Sequence, residues 1–251
     1  MKAIILSAGQ GSRLLPLTED CPKCLLTIGA KSLLERQIDA LYACGVRDIC
    51  VVVGFLAGAV EHHLQDITKP DLTIYSVFNP FYDVSDNLAS CWMARHEMNQ
   101  DFMLLNGDTL FDSEIVMRLL NGPLQAVTLT IDRKTEYDSD DMKICLDGDR
   151  LIDVDKSIES SRIDGESIGI TLFRGAGPSQ FCEILEQEIR KPIGIKRYYL
   201  QAINILAART HVGVQSIEGL KWAEVDFPQD LELARELFAS PEARREKIIG
   251  L

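Results

Sequence analysis

The chain has 251 residues, with 46% hydrophobic and 25% charged residues, and a formal net charge of −12 at pH 7. This composition is typical of a globular protein and excludes a disordered, collagen-like or coiled-coil chain. The negative charge argues against a nucleic-acid-binding protein, because the overall field repels phosphate, so any phosphate ligand must be held by a local basic cluster or by metal ions.

The sequence predicts a cytoplasmic protein without a membrane span. No apolar run reaches the roughly 18 residues that a spanning helix needs. The seven cysteines are an odd number and are scattered along the chain, unlike those of a disulfide framework. The first residues run directly into a strand pattern and lack the arrangement of a secretory leader. A reducing compartment is therefore the simplest expectation.

In the first half of the chain, apolar runs typical of buried strands alternate with amphipathic helical stretches. The runs that predict strands are 3–6, 49–53, 72–77 and 102–105. The stretches that predict helices are 32–43, 57–64, 86–98 and 113–120. Ser32 and Glu35 form a capping-box pattern at the first helix, and Gly45 follows its end. This alternation predicts a mostly parallel sheet with right-handed crossovers.

After residue 123 the pattern is less regular. The predicted strands are 126–131, 142–146, 151–154, 167–173 and 222–225. The predicted helices are 180–190, 198–206 and one that begins at Pro228. We expect a single domain over 1–251, with a nucleotide-binding half at 1–120 and an acceptor-binding half with the C-terminal helices at 121–251.

A glycine loop directly follows the first predicted strand. Gly9 and Gly11 let backbone N–H groups approach an oxyanion closely, at the sheet edge where α/β proteins usually bind ligands. A dinucleotide-binding fold would need a third glycine where Leu14 stands, and an acidic residue at the end of the second strand, where Val53 and Gly54 stand. The loop therefore favours a phosphate site of another kind.

Two cations accompany this loop. Arg13 lies two residues after Gly11, and Lys23 follows ten residues later, after Pro22. Arginine can grip phosphate with its forked guanidinium, and lysine can neutralise a leaving pyrophosphate as a point charge. The alternative is that both side chains are solvated on a surface loop. Their combination with the glycines favours catalytic roles for Arg13 and Lys23.

The segments 9–18 and 22–25 resemble the signature of the sugar-nucleotide nucleotidyltransferase superfamily. Within it, the short chain and the stretch 86–90 are most similar to the phosphocholine and inositol-1-phosphate cytidylyltransferases. The resemblance implies a three-layer α/β/α sandwich with a mostly parallel, mixed, twisted sheet. It also implies an enzyme that transfers CMP from CTP to a small phosphorylated alcohol, amine or phosphonate and releases pyrophosphate.

Two aspartates are candidate metal ligands. Asp108 follows the strand at 102–105, and Asp226 ends the last short strand. The resemblance implies that this pair binds Mg²⁺, which suits carboxylates that bridge to phosphate oxygens. The two carboxylates would converge if the last strand joined the same sheet. The alternative is that each aspartate caps a helix. Glu224 is expected on the other face of its strand.

Other residues are assigned to the nucleotide and the acceptor. The expected nucleotide contacts are Leu6, Ala8, Gly9, Gly11, Ser12, Asn79, Asn87 and Ser90. The last three follow from the resemblance, and plain helix capping by Ser85 or Asp86 is the alternative for that region. By the same resemblance, Lys156 is expected to hold the phosphate of the acceptor, and Glu166 its head group.

The charge of the acceptor's head group is left open. Arg197 would meet an anionic head group. A cationic head group would use carboxylates and an aromatic wall. The candidates for that second case are Asp140, Asp141, Glu166, Tyr137, Tyr198, Tyr199 and Trp222.

Two alternative functions remain open at this point, and a third is disfavoured. One is a sugar-1-phosphate nucleotidyltransferase that uses UTP, dTTP or GTP. Another is a non-catalytic nucleotide-binding regulator. A glycosyltransferase would need an Asp-x-Asp motif after the fourth strand. Asp108 could be its first aspartate, but Leu110 stands where the second aspartate would be. The expected partners are a nucleoside triphosphate and a phosphorylated small molecule, and a homo-oligomer is left open.

Overall fold

The structure is a computed structural model that describes residues 1–239; residues 240–251 of the predicted domain lie outside the described residues. The strands are β1 (Lys2–Ser7), β2 (Thr27–Ile28), β3 (Lys31–Ser32), β4 (Asp48–Val53), β5 (Thr73–Phe78), β6 (Phe102–Asn106), β7 (Thr109–Phe111), β8 (Val127–Asp132), β9 (Lys143–Asp147), β10 (Arg150–Asp155), β11 (Gly165–Phe173), β12 (Val212–Ser216) and β13 (Trp222–Glu224). The α-helices are α1 (Leu33–Ala43), α2 (Ala57–Asp66), α3 (Asn87–Met93), α4 (Ser113–Leu120), α5 (Gly177–Ile189), α6 (Tyr199–Arg209) and α7 (Pro228–Leu237).

A nine-stranded mixed sheet runs through both halves of the chain, in the order β5-β4-β1-β6-β11-β8-β12-β10-β9. Strands β5, β4, β1 and β6 are parallel, as the alternating pattern of the first half predicts. Strand β11 is antiparallel to β6 and β8, between which it lies, and it joins the two halves; its first residues also pair with β9. The mixed α/β architecture predicted from the sequence is confirmed.

Helices cover both faces of the sheet. Along β1, Ile4 and Leu6 belong to one apolar cluster, and Ala3 and Ile5 belong to another. The alternation follows from the strand geometry, in which successive side chains point to opposite faces. The first cluster includes residues of α3, α5 and α6, and the second includes residues of α1, α2 and α4. The result is a three-layer α/β/α sandwich.

Local signals set several boundaries. The Ser32 hydroxyl accepts a hydrogen bond from the Glu35 N–H at 3.0 Å, and the Glu35 carboxylate accepts one from the Ser32 N–H at 2.9 Å, which forms the predicted capping box. Helix α3 is shorter than predicted: it ends at Met93, and a 3₁₀ turn replaces its last part. The carbonyl of Trp92 accepts a hydrogen bond from the Arg95 guanidinium there, and this side-chain bond competes with the helical pattern.

A separate pair of short strands corrects one expectation. Strand β13 does not join the main sheet but pairs with β7 in a two-stranded antiparallel sheet, and the sequence did not predict β7. Strand β12 was also missed. Each of the seven cysteines, all within residues 1–239, is a free thiol. None of the described helices is long and apolar enough to cross a bilayer.

Candidate active site

A cleft of about 350 Å³ opens at the carboxyl ends of β1 and β6. It is lined by all the residues predicted to be catalytic, nucleotide-binding or metal-binding, which are Leu6, Ala8, Gly9, Gly11, Ser12, Arg13, Lys23, Asn79, Asn87, Ser90, Asp108 and Asp226. The two predicted acceptor residues lie outside it. Glu166 lines an adjoining cleft, and Lys156 lies near the ring of Tyr198, which lines the first cleft.

The glycine loop positions Lys23. Gly11 has a φ of +72°, in the left-handed region that favours glycine. Its carbonyl accepts hydrogen bonds from the Leu14 N–H and the Thr18 hydroxyl, both at 2.9 Å, which fix the turn. A Cβ at Gly11 would lie 2.9 Å from Cδ of Lys23. Gly11 therefore supplies both the turn and the space through which the lysine side chain reaches the cleft.

The two cations and two carboxylates meet in this cleft. The Lys23 ammonium lies 2.9 Å from Asp108 Oδ2 and 2.6 Å from Asp226 Oδ1. Burial alone would lower the pKa of Lys23, but the charges of Asp108 and Asp226 outweigh it and raise that pKa above its ordinary value. Lys23 is therefore a permanently charged ammonium at neutral pH.

Opposite charges alternate outward from this centre. Arg13 donates a hydrogen bond to Asp226 Oδ2 at 2.8 Å, and it also pairs with Asp140. Asp140 in turn accepts a hydrogen bond from Lys156 at 2.5 Å. The side chain of Arg13 is 45% exposed, so it can exchange these carboxylates for another anion without leaving a buried charge behind. The chain of ion pairs links the first cleft to the predicted acceptor residue Lys156.

The aspartate pair fits a divalent cation. Asp108 Oδ1 is buried and has no hydrogen-bond partner within residues 1–239, although its other oxygen binds Lys23. Both Asp108 and Asp226 reach the same ammonium, so their carboxylates face one point. Residues 1–239 contain no cluster of three or more His, Cys, Asp or Glu side chains that could hold a metal ion. Two carboxylates suit Mg²⁺, which usually keeps water and substrate phosphates as its other ligands.

The aspartates converge by a route that the sequence did not predict. The register of the small sheet pairs Glu224 with Thr109, and the Val225 N–H donates a hydrogen bond to the Asp108 carbonyl at 3.1 Å. Asp226 therefore lies beside Asp108 although its strand is outside the main sheet.

The expectation that Glu224 faces away from the site is wrong. Glu224 and Asp226 are two residues apart, so on an extended chain they share a face, and both line the adjoining cleft. Glu224 is an exposed residue beside two other carboxylates. Partial desolvation in the cleft and the negative charges of Asp108 and Asp226 raise the pKa of Glu224 above its ordinary value. Glu224 is a third carboxylate close to Asp108 and Asp226.

The residues predicted for the base also hold the fold together. Asn79 is fully buried, and its amide donates a hydrogen bond to the Ser90 hydroxyl at 3.1 Å. Asn87 accepts a hydrogen bond from the Tyr199 N–H at 2.8 Å, which leaves its amide N–H₂ as the group that can meet a ligand. Asp86 occupies the N-cap position of α3, but its side chain makes no capping hydrogen bond within the described residues.

Several residues that line the first cleft were not predicted as site residues, and Tyr198, expected at the acceptor's head group, lines this cleft instead. The unpredicted residues are Ser7, Cys24, Tyr82, Ser85, Asp86 and Gly107. Ser7 ends β1 at the same edge as the glycine loop, so its position in the sequence was a usable signal. Tyr82 carried no signal, because it reaches the cleft through a loop whose path depends on the tertiary fold.

The adjoining cleft has a volume of about 390 Å³ and shares Asp226 with the first. Glu166 is 3% exposed there and binds the Lys134 ammonium at 3.0 Å. Burial, opposed by the charge of Lys134, raises the pKa of Glu166 to about 7. Of the proposed aromatic wall, Trp222 lines this cleft, whereas Tyr199 is fully buried in the core and cannot.

The remaining head-group candidates divide between the two clefts. Asp140 and Asp141 line the adjoining cleft, and Tyr198 lines the first one. Tyr137 lines neither of the two clefts, although its ring lies 5.6 Å from the Lys134 ammonium. Arg197 is paired with the buried Glu188 at 2.7 Å, so an anionic head group would have to compete with that carboxylate.

Comparison with known proteins identifies the family. Residues 2–138, more than half of the chain, match the family described as nucleotidyl transferase. The chain belongs to this family. The glycine loop of the transferase, together with Arg13, Lys23 and Asp108, lies within the residues that match the family.

Two curated relatives extend the likeness over nearly the whole transferase. CTP:phosphoglutamine cytidylyltransferase of Campylobacter jejuni is 26% identical over 93% of this chain and 98% of the relative. CMP-5'-(3-aminopropyl)phosphonate synthase of Streptomyces rubellomurinus is 28% identical over 100% of this chain, which spans 41% of that longer protein.

A solved structure confirms the fold. CTP:phosphocholine cytidylyltransferase from Streptococcus pneumoniae has a TM-score of 0.77 to the transferase at 22% identity, and the match covers 94% of this chain and 98% of the other.

Substitution of Gly11 by alanine should lower the activity of the transferase strongly and its free energy of unfolding only slightly. The new Cβ would strain the left-handed turn and displace Lys23, so we expect kcat to fall by about tenfold or more. Gly148→Ala is the matched control, because Gly148 has a φ of +63° but a Cβ there meets nothing within 4 Å. Both variants should lose about 1 kcal/mol in urea denaturation. Equal activities of the two variants would show that Gly11 does not position Lys23.

Replacement of Glu166 by glutamine should change stability in a pH-dependent way. The pKa of Glu166 rises from 4.5 to about 7 in the folded transferase. The stability that its proton contributes is therefore fully present below pH 4.5 and is lost as the pH rises through 7. Glutamine stays neutral at every pH, so the variant does not lose this stability. The difference in the free energy of unfolding, Glu166→Gln minus parent, should therefore increase by about 2–3 kcal/mol from pH 5 to pH 8.

Urea denaturation at both pH values measures this difference. Glu218→Gln, at an exposed position, is the control and should show no such change. A pH-independent difference for Glu166→Gln would contradict the elevated pKa.

Proposed function

We propose that this transferase moves CMP from CTP to a small phosphorylated acceptor and releases pyrophosphate. The observation that carries the proposal is the meeting of Arg13 and Lys23 with Asp108 and Asp226 in one cleft beside the glycine loop. Cations and backbone N–H groups can bind a triphosphate, which an acidic chain would otherwise repel. The names of the two curated relatives support CTP as the nucleotide.

In the proposed reaction, a phosphate oxygen of the acceptor attacks the α-phosphorus of CTP. The bond from that phosphorus to the bridging oxygen of pyrophosphate breaks in line, and pyrophosphate carries the electron pair away. No covalent enzyme intermediate is needed. Arg13 and Lys23 stabilise the negative charge that develops on the phosphate oxygens, because they are held in place before the reaction begins.

The ion pairs of the structure suggest how the site exchanges partners. Arg13 and Lys23 are neutralised by carboxylates here, and the phosphates of CTP would take over part of that role. Lys156 is paired with Asp140 on the side of the adjoining cleft, where it can meet the phosphate of the acceptor. The two substrates would then approach from two clefts that meet at Asp226.

We propose Mg²⁺ as the cofactor. Asp108 and Asp226 would hold it, and the unpartnered Oδ1 of Asp108 supports this assignment. When bound, the ion would neutralise the triphosphate and polarise its oxygens. Asp108 and Asp226 also hold the Lys23 ammonium, so the residues that would bind the ion keep this charged side chain in the same cleft.

We also propose that the transferase works in the cytoplasm. The support is that its seven cysteines are free thiols, which persist in a reducing compartment.

A screen for pyrophosphate release tests the proposed function. CTP, UTP, dTTP and GTP are each combined with phosphorylated amines, alcohols, phosphonates and hexose-1-phosphates. We expect release with CTP and non-sugar acceptors, and release slower by about 10²–10³-fold from Asp108→Asn, the control for contaminating enzymes. If pyrophosphate is released only when a hexose-1-phosphate is combined with UTP, dTTP or GTP, the result would support a sugar-1-phosphate nucleotidyltransferase. No release with any combination would support a non-catalytic regulator.

A further inference from the structure

The adjoining cleft is strongly acidic for its size. Among the described residues, eight carboxylate side chains and one lysine, Lys134, line a volume of about 390 Å³. Two of these carboxylates, Asp140 and Asp226, are neutralised by Arg13, Lys23 and Lys156 at the border with the first cleft. Glu166 and Glu224 have raised pKa values, so the negative charge of the cleft at neutral pH comes mainly from the remaining four aspartates, and it attracts cations and repels anions. These are Asp132, Asp138, Asp141 and Asp230.

One buried oxygen in this cleft lacks a partner. Glu166 is 3% exposed, and its Oε1 accepts no hydrogen bond within residues 1–239, whereas Oε2 binds the Lys134 ammonium at 3.0 Å. A buried carboxylate oxygen without a donor costs free energy that a ligand N–H can recover. The acidity of the cleft would attract any cation, whereas this oxygen favours a cation that can donate a hydrogen bond.

The ion pairs of Lys134 show that the carboxylates of Glu166 and Asp141 can bind an ammonium group. Its ammonium bridges Glu166 and Asp141, at 3.0 Å and 2.7 Å. Two carboxylates therefore converge on one N–H₃⁺ group beside the unpartnered Oε1. The Lys134 side chain is 37% exposed, so it can move toward solvent and leave room for a second ammonium.

Two aromatic side chains form part of the remaining wall. The Trp222 indole N–H donates a hydrogen bond to Asp132 at 2.7 Å, which fixes the ring at the edge of the cleft. Phe227 also lines the cleft and lies under the Arg13 guanidinium, 5.1 Å from it. Aromatic faces suit both the methylene groups and the ammonium of a short aliphatic amine.

We propose that the acceptor carries a primary ammonium group at the end away from its phosphate, and that this group donates a hydrogen bond to Glu166 Oε1. The inference rests on the proposed function, because it assigns the first cleft to the nucleotide and the adjoining cleft to the acceptor. Asp140 lines the adjoining cleft and binds both Arg13 and Lys156, so the phosphate end of the acceptor lies toward these cations.

The same geometry disfavours other head groups. A quaternary ammonium has the charge but no N–H, so it would leave Oε1 unsatisfied. A neutral alkyl group would leave the carboxylates without compensation, and a carboxylate or sulfate would be repelled. A site built to hydrogen-bond one group discriminates strongly against an analogue that lacks it.

Calorimetry with three matched acceptors tests the inference. Phosphoethanolamine, phosphocholine and propyl phosphate are titrated at pH 8 into the full chain with Mg²⁺ and a non-hydrolysable CTP analogue. We expect phosphoethanolamine to bind about tenfold or more tightly than either of the others. Equal binding of the three, tighter binding of phosphocholine or propyl phosphate, or no binding by any of them would overturn the inference.

Two variants separate recognition from folding. Glu166→Gln should abolish the preference for phosphoethanolamine and leave the affinity for propyl phosphate within about twofold, a pattern that a purely structural role would not produce. Glu218→Gln is the control at an exposed position. Asp141→Asn should also reduce the preference, so it provides the test if Glu166→Gln does not fold. A preference retained in both variants would contradict the role of these carboxylates.

Turnover distinguishes this inference from the proposed function. Pyrophosphate release with neutral acceptors only would leave the proposed function intact and overturn the primary ammonium. Selective binding of phosphoethanolamine without pyrophosphate release from any acceptor would support the ammonium site and contradict the transfer reaction.

Discussion

Replacement of Lys23 by methionine should lower kcat for CMP transfer on the order of 10²–10³-fold. Lys23 is the ammonium between Asp108 and Asp226, at 2.9 Å and 2.6 Å. Its charge is available to stabilise the leaving pyrophosphate, and methionine keeps the length of the side chain without the charge. Rapid-quench or coupled pyrophosphate assays at saturating CTP measure the effect on kcat apart from the effect on binding.

The control for Lys23→Met is Lys31→Met. Lys31 is exposed and pairs with Asp39 away from the cleft, so its removal should leave kcat within about twofold. Circular dichroism and urea denaturation establish that both variants fold. Near-full turnover by a folded Lys23→Met would show that this lysine takes no part in catalysis.

Replacement of Asp108 by asparagine should cause a loss of similar size, about 10²–10³-fold in kcat, together with a weaker response to Mg²⁺. The asparagine side chain is neutral. It therefore offers a metal ion no charged oxygen in place of the unpartnered Oδ1, and it forms no ion pair with Lys23. A titration of activity against Mg²⁺ should therefore shift to at least about tenfold higher concentration.

Asp112→Asn is a matched control in the same segment. Asp112 is exposed, and it makes no side-chain capping bond to α4 within the described residues. Its Mg²⁺ titration should coincide with that of the parent. If Asp108→Asn kept the parental Mg²⁺ requirement and rate, the metal would have to bind elsewhere or be absent from the mechanism.

The elements with strong local signals were predictable from the sequence. Helix α1 carries a capping box at Ser32 and Glu35, and the structure forms it. Helix α4 has the predicted bounds, Ser113–Leu120, because its apolar spacing follows one helix face. The buried parallel strands were identified from continuous apolar runs, so the glycine loop and its cations could be placed at the edge of the sheet.

The elements that depend on tertiary pairing were not predictable. Strand β7 has three residues, and its pairing with β13 brings Asp108 and Asp226 together. Such a short strand has too little periodicity to identify, and its partner lies more than a hundred residues away. The role of Glu224 was a different kind of error, because the period of an extended chain already places it on the same face as Asp226.

The acceptor region was predictable only in part. The sequence indicated Glu166 and a set of carboxylates, but it could not show which of them share a cleft. Glu166 reaches the cleft from β11, Asp141 from a loop, and Trp222 from β13. Their meeting depends on the order of strands in the sheet, which local patterns do not encode.

A crystal structure with Mg²⁺ and a non-hydrolysable CTP analogue tests the central claim most directly. The account predicts the triphosphate between Arg13 and Lys23, against the backbone of the glycine loop, with the metal held by Asp108 and Asp226. A nucleotide bound outside this cleft, or a triphosphate that Arg13 and Lys23 both face away from, would contradict it.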